Sequence, residues 1–469
     1  MARAKVVPVN EPRSFERHEL FFSLTDPKGI IRYGNDVFTR LAGYSEEEIL
    51  GSPHNIIRHP DMPRAVFKLL WQYIKAGKSI AAYIKNMASD GRYYWVLATV
   101  TPCNGGFLSI RLKPEGPLFD QVRDIYAAAL AIEHDYDQKN GDRNEAMDAS
   151  LKYIMDQLAA AGYDNYDEFM SAALGRELTA RAEWIEQNGC PSAHTSTASQ
   201  DAGLLALEHS CRDIGEIIGS LFHALDDFQR LEGELAAKYE AMQKLGAGLH
   251  LQSVNATVAA SRLGSSGAVL VAVADALGEL SRRMESQLSE RASRLGILHQ
   301  ACHAVVFGTA VSLFEAEVGA DFAAHLQEDS EGGRDPVVLE SMEALIEEFQ
   351  KRCHDVLDRM QVFKQETGRI RGEVLELVNQ YIEMRSIQIN GKTEAATRSD
   401  YSHFVVLFDE VSSLIDSGRA DCDELLKVLG AANERIRRFD RLAHSFQQEL
   451  HALGEPASTA TARAELATV

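Results

Sequence analysis

Most of this 469-residue chain, from residue 119 almost to its end, carries an apolar pattern typical of long helices. Apolar residues recur alternately three and four positions apart, and the alternation of period two that marks strands is not found there. Spacing that averages about 3.5 residues indicates helices that wrap around one another as a coiled coil. The first run comprises Leu204, Leu207, Cys211, Ile214, Ile218, Leu221, Leu225, Phe228, Leu235, Tyr239, Met242 and Leu249. The second comprises Cys353, Val356, Met360, Phe363, Thr367, Ile370, Val374, Leu377, Tyr381 and Met384.

Two polar segments interrupt this helical pattern. They are NGCPSAHTSTASQDAG at 188–203 and QEDSEGGRDP at 327–336, and both are rich in turn-forming residues. These breaks predict a division of the whole chain into a flexible N-terminus at 1–16, a compact domain at 17–118, a helical connector and loop at 119–202, a first helical hairpin at 203–326, a loop at 327–337, a second hairpin at 338–453 and a disordered tail at 454–469.

The first 118 residues have a different pattern. FFSLTDPKGIIRY at 21–33 predicts two short strands joined by a turn at Asp26–Gly29. Short helices follow, one of them opened by a capping box of Ser45 and Glu48. A longer helix and three more strands complete the domain. This order is typical of an α+β fold, an antiparallel sheet with helices packed over one face.

One run in this domain is much more specific. GSPHNIIRHPDMPRAVFKLLW at 51–71, followed by IKN at 84–86 and YYWV at 93–96, closely resembles the PAS domain of bacterial aerotaxis receptors. The resemblance covers roughly residues 17–113. It implies a five-stranded antiparallel PAS sheet and a bound flavin adenine dinucleotide (FAD). By position, it implies that the flavin pocket contains Asn35, Arg58, His59, Asp61, Phe67 and Asn86, with Trp71 on the adjoining helix.

The chemistry of these residue types suits a flavin. Arg58 and His59 offer donors to phosphate or carbonyl oxygens, and the amides of Asn35 and Asn86 can pair with both donor and acceptor edges of the ring. One departure is Ile80, which stands where the family usually has a tryptophan.

Two other interpretations of the pocket remain open. Haem fits less well, because no histidine lies on the apolar face of the pocket helix as an axial ligand. In the other interpretation, His59 to Asp61 caps the following helix and the domain binds no cofactor.

Two segments of the helical region resemble the hairpin tip of methyl-accepting chemotaxis receptors. They are SVNATVAASRLGSSGAVLVAVADALGELS at 253–281 and INGKTEAATRSDYSHFVVLFDEV at 389–411. The resemblance implies partner-binding tips at Asn255, Arg262, Gly264, Asn390 and Glu394. Both copies depart from the family, with Ala259 in place of glutamate in the first and Thr397 in place of arginine in the second. The chain is therefore predicted to hold two hairpins in tandem, with the turns near Gly264 and Ser399 at the same end of a four-helix bundle.

Composition excludes several classes of function. A net charge of −21 argues against nucleic-acid binding, which needs a basic surface. The six cysteines have no metal-ligand spacing, and no kinase, phosphate-loop or zinc signature indicates an enzyme. Neither a signal peptide nor about 18 consecutive apolar residues is found, so we expect a cytoplasmic protein without membrane insertion.

The sequence therefore predicts a non-enzymatic sensory protein. A flavin in the PAS domain would detect redox state or oxygen, and the helices would signal to protein partners such as a chemotaxis kinase, its coupling protein or chemoreceptors. The alternative is a cofactor-free adaptor or decoy that binds receptors or partner helices without controlling a kinase. The pattern leaves the oligomeric state open.

Overall fold

The structure is a computed structural model that describes residues 6–139, 141–189, 202–328, 336–397 and 401–467. Its N-terminal sheet is antiparallel throughout, with the strand order β2-β1-β5-β4-β3. The strands are β1 (Phe21–Thr25), β2 (Ile31–Gly34), β3 (Ile80–Met87), β4 (Tyr93–Cys103) and β5 (Gly106–Leu112). The predicted α+β fold class of this domain is confirmed.

Short helices cover one face of the sheet. They are α1 (Asp36–Ala42), α2 (Glu46–Ile49), a single 3₁₀ turn (His54–Ile57) and α3 (Arg64–Lys75). The predicted capping box at α2 is present, with Ser45 and Glu48 each bonding to the other's backbone. We call the side of the sheet under these helices the inner face.

Three connector helices follow; the first and third pack against the opposite, outer face, and the second packs against α3. They are α4 (Leu118–Gln138), α5 (Arg143–Ala160) and α6 (Tyr166–Asn188). The ring of Phe119 on α4 lies 5.7 Å from that of Tyr83 and 5.4 Å from that of Trp95. On α6, the Tyr166 hydroxyl donates to the backbone oxygen of Ala81 at 3.0 Å. Both faces of the sheet are therefore buried by helices.

Four long helices make up the rest of the described chain. They are α7 (Ala202–Ser261), α8 (Ala268–Glu328), α9 (Pro336–Ala395) and α10 (Ser402–Ala467). The second predicted apolar run, from Cys353 to Met384, is buried at every position. α10 ends at Ala467, within the segment from residue 454 that the sequence predicts to be a disordered tail.

The chain divides into two compact units. The first unit comprises residues 1–222, 303–357 and 442–469, and the second comprises residues 223–302 and 358–441. Each predicted hairpin therefore contributes to both units, which the linear division of the sequence did not anticipate.

In the first unit, the C-terminal part of α8 packs on the outer face of the sheet. The ring of Phe322 lies 4.7 Å from that of Tyr33 and 5.5 Å from that of Phe22. Arg181 on α6 pairs with Glu317 at 2.9 Å and also donates to the backbone oxygen of His18. The sheet, the connector and α8 are thus packed together in one unit.

In the second unit, the four arms contact one another in a ring. The contacts are Thr257 with Asp275 (α7 to α8), Gln380 with Gln287 (α9 to α8), Arg385 with Asp416 (α9 to α10) and Lys238 with Asp421 (α7 to α10). The Tyr401 hydroxyl donates to the backbone oxygen of Ser266 at 2.7 Å, which places the two turns side by side as predicted. Ser399 itself lies outside the described residues.

Gly264 opens the first turn. Its φ of +61° is in the left-handed region, which a residue with a Cβ rarely adopts. The turn therefore requires glycine at this position.

The stretch Gly264–Ala324 contains an 18-residue window with a mean hydropathy of 1.5, and 56% of that window is buried. By length and composition alone it could cross a membrane. The buried core helix of a soluble protein meets the same criterion.

Candidate functional site

A cavity of about 240 Å³ lies between the inner face of the sheet, the 3₁₀ turn and α3. Its volume is just below the range of about 300–1,000 Å³ that is common for ligand pockets. Apolar side chains form most of the wall. The residues that line it are Thr25, Lys28, Gly29, Pro53, His54, Asn55, Arg58, Phe67, Leu70, Trp71, Ile74, Ile84, Asn86, Ala98, Val100, Phe107, Ser109 and Arg111.

The charged side chains that line the cavity are cationic. Lys28, Arg58 and Arg111 are cationic, and none of the described residues that line the cavity is an aspartate or glutamate. The whole chain, by contrast, has a net charge of −21. Cations lining a cavity favour a ligand that carries negative charge.

Arg111 on β5 is the most deeply buried of the three cations, at 2% exposure. Its Nη2 donates to Ser23 Oγ at 2.9 Å and to His54 Nε2 at 2.6 Å. Because a guanidinium can only donate, His54 accepts through Nε2 and is neutral. Burial, reinforced by the Arg111 charge, lowers the pKa of His54 to about 3. Burial also lowers the pKa of Arg111 to about 10, which leaves it charged at neutral pH.

Arg58 is held against the aromatic wall. Its guanidinium carbon lies 3.8 Å from the ring centroid of Phe67, within the range of a cation–π contact. Burial lowers the pKa of Arg58, and the charge of Glu133 acts in the opposite direction. The backbone of Arg58 bridges to Asn86 on β3, so both side chains lie at the same part of the cavity.

Asn86 is 3% exposed, and its Nδ2 has no hydrogen-bond partner among the described residues. An unpaired buried amide donor is costly, so such groups usually indicate a missing acceptor. A ligand with a carbonyl or an anionic oxygen would supply it. The cavity thus offers one unpaired donor, cations and aromatic walls, a combination that fits a flavin.

The structure brings together four of the seven residues that the resemblance implies for the flavin pocket. Arg58, Phe67, Trp71 and Asn86 line the cavity.

The side chains of the other three are engaged elsewhere. Asn35 caps α1, where its Oδ1 accepts from Phe38 and Phe22. His59 Nδ1 accepts from the backbone of Asp61 at 3.1 Å, and the Asp61 carboxylate pairs with Lys85 at 2.7 Å. A cofactor-binding role for all seven stays a prediction.

One interpretation of the sequence was that His59 to Asp61 caps α3. The structure shows a different cap. The N-cap residue is Pro63, whose side chain makes no capping hydrogen bond. A side chain of α4 instead accepts from the backbone N–H groups of the first turn. Glu133 accepts from Arg64 N at 2.9 Å and from Ala65 N at 3.0 Å, and also from Arg64 Nε at 2.9 Å. The connector therefore holds the end of the helix that forms the cavity wall.

Sequence reasoning missed His54 and Arg111. His54 is part of the run that resembles aerotaxis receptors, but nothing local shows that its ring turns inward. Arg111 shares its side of β5 with Phe107 and Ser109, an alternation that can be read from the sequence. Which side faces the cavity depends on the packing of both sheet faces. Ile80, at the position of the family's tryptophan, is fully buried in β3 and does not line the cavity.

The predicted tip residues lie in the second unit, around the two turns. Asn255, Arg262, Gly264 and Asn390 are exposed, and Glu394 is half-buried. Exposure makes them accessible to a partner, and their binding role stays a prediction.

Comparison with known proteins agrees with the geometry of the N-terminal domain. The family model of the PAS fold matches residues 31–109. The N-terminal sheet and its helices are a PAS domain. A solved PAS domain from Colwellia psychrerythraea is 23% identical, covers 20% of this chain and 85% of its own, and superposes with a TM-score of 0.19.

Two curated relatives extend the comparison. The aerotaxis receptor of Escherichia coli (strain K12) is 36% identical over 114 residues, which are 23% of this chain and 22% of the receptor. The biofilm dispersion protein BdlA of Pseudomonas aeruginosa is 19% identical over an alignment of 372 positions, which covers 64% of this chain and 89% of BdlA. The chain thus spans about a fifth of the aerotaxis receptor. Its likeness to BdlA is more distant but reaches into the helical region.

Proposed function

We propose that this chain is a non-enzymatic sensory protein whose PAS domain binds FAD and responds to redox state or oxygen. The observation that carries the proposal is the cavity, which combines three cations, no carboxylate among its described lining residues and an unpaired Asn86 donor. The similarity to the aerotaxis receptor covers this same domain and supports the choice of a flavin.

The cavity residues divide naturally between the parts of such a ligand. Arg58 and the exposed Lys28 offer charge to phosphate oxygens, and Asn86 offers a donor to a ring carbonyl. Phe67 and Trp71 supply apolar walls. When bound, a flavin supplies reversible reduction, and the protein supplies the environment that sets its potential.

The path from the cavity to the helices is short. Glu133 on α4 holds the N-terminus of α3, and α3 lines the cavity with Phe67 and Trp71. A change in the ligand that shifts α3 would be transmitted directly to α4 through this contact. The exposed tip residues, together with the distant similarity to BdlA, support a chemotaxis-type protein partner. We also propose that the protein is cytoplasmic.

The first test is the absorption spectrum of the purified full-length protein, with the cofactor released by denaturation and identified. We expect a yellow protein that contains FAD, and Arg58→Ala should be folded but nearly colourless, because the variant loses a cation at the ligand. Arg92→Ala is the matched control, since this arginine pairs with Asp90, is not among the residues that line the cavity, and should leave the flavin in place. A wild-type protein that neither carries nor binds added FAD would overturn the proposal in favour of a cofactor-free adaptor.

A further inference from the structure

Arg111 carries a charge that the protein does not neutralise. No carboxylate among the described residues lies within ion-pair distance of its guanidinium, and its three hydrogen-bond acceptors, Ser23, His54 and the backbone oxygen of Ser109, are neutral. The rings of Phe38 and Phe21, at 5.2 and 5.6 Å, make cation–π contacts with it but carry no negative charge. Burying an unpaired cation is expensive, so its retention indicates a negative charge supplied from elsewhere.

The position of Arg111 leaves one source for that charge. The residue is 2% exposed, so solvent ions do not reach it freely, and it lines the PAS cavity. It lies on β5, whereas Asn86 lies on β3, with β4 between them. Arg111 is therefore a separate recognition point from the Arg58 and Asn86 side of the cavity.

We propose that Arg111, oriented by Ser23 and His54, is the subsite for negative charge on the ring system of the bound ligand. This inference rests on the proposed flavin. The oxidised flavin ring is neutral, and uptake of two electrons from an external reductant and one proton from water leaves it with one negative charge. A fixed cation in a low-dielectric cavity binds that reduced, anionic ring more tightly than the oxidised ring. Arg111 thus raises the midpoint potential at which the sensor switches.

Spectroelectrochemical titration of the flavin-loaded full-length protein tests this directly. In Arg111→Gln we expect the preference for the reduced ring to fall at least tenfold, which lowers the midpoint potential of a two-electron couple by about 30 mV or more. Arg111→Lys keeps the charge and should recover most of the difference. Arg92→Gln is the control, because this arginine pairs with Asp90 in the β3–β4 turn and does not line the cavity, so its loss should leave the potential unchanged.

The outcomes separate the two proposals. A wild-type protein without flavin contradicts the proposed function itself. A flavin-loaded Arg111→Gln with the wild-type potential overturns the subsite alone. If that variant does not fold, Ser23→Ala decides, because it removes one of the two side chains that orient Arg111 and should also lower the midpoint potential. A folded, flavin-loaded Ser23→Ala with the wild-type potential would overturn the inference.

Discussion

Glu177 on α6 is a carboxylate buried against the outer face of the PAS sheet, at 2% exposure. Its Oε2 accepts from the backbone of Glu115 and Gly116 at 2.8 Å, and the Tyr83 hydroxyl donates to its Oε1 at 2.9 Å. Burial raises its pKa from 4.5 to about 6, although these hydrogen bonds act in the opposite direction. One side chain therefore joins the end of β5, the strand β3 and the connector.

The raised pKa of Glu177 predicts a specific pH dependence of stability. The folded protein holds the proton more tightly than the unfolded chain, so the stabilisation is complete below pH 4.5 and is lost as the pH rises through about 6. The interval corresponds to about 2 kcal/mol. Glu177→Gln does not titrate, so the wild-type advantage in the free energy of unfolding should shrink by about this amount. Urea denaturation of both proteins at several pH values measures it, and an advantage that is constant or grows with pH would contradict the assignment.

Individual residues were the least predictable part of the site. The run around His59 and Asp61 marks the cavity in the sequence, yet the side chains of these two residues point to each other and to Lys85. Arg58, which directly precedes His59, lines the cavity. A motif locates a backbone segment, whereas the direction of each side chain depends on packing that only the folded structure contains.

At the scale of elements, most of the PAS domain follows from local signals. The turn at Asp26 is closed by the carboxylate of that residue, which accepts from the backbone N–H groups of Lys28 and Ile30. The alternating pattern of residues in β5 indicates a strand. The apolar run from Cys353 to Met384 likewise predicts the buried seam of α9. The start of α3 is the exception, because its cap comes from Glu133, about 70 residues later. No local pattern could reveal that contact.

Glu133 gives a prediction at this scale. In Glu133→Gln the N-terminus of α3 loses a charged acceptor for Arg64 and Ala65, and the free energy of unfolding should fall by about 1.5–3 kcal/mol. Asp137→Asn is the matched control, because Asp137 pairs with the same Arg64 at 3.1 Å but is exposed, so its loss should cost less than about 1 kcal/mol. Chemical denaturation compares them. Equal losses in the two variants would show that Glu133 does not cap the helix.

At the scale of the whole molecule, sequence periodicity predicted four long helices and the meeting of the two turns, which the contact of Tyr401 with Ser266 shows. It did not predict that the C-terminal part of α8 packs on the PAS sheet through Phe322. In a heptad pattern Phe322 is one more apolar position among many. Its partners, Phe22 and Tyr33, are about 300 residues away in the chain.

This packing connects the cavity and the helical region within the first unit. β1 carries Ser23 toward Arg111 on its inner side and Phe22 toward Phe322 on its outer side. On the other side of the domain, α3 lines the cavity and is held by α4. If the PAS domain is a sensor, a change in ligand charge should therefore alter the stability of both α4 and the C-terminal part of α8.

Hydrogen exchange of the flavin-loaded protein, oxidised and then chemically reduced, tests this central claim most directly. The account predicts that exchange rates change on reduction in α4 (Leu118–Gln138) and in residues 303–324 of α8, as well as around the cavity, while the flavin stays bound. Identical exchange of both helices in the two states, with changes confined to the cavity residues, would contradict it.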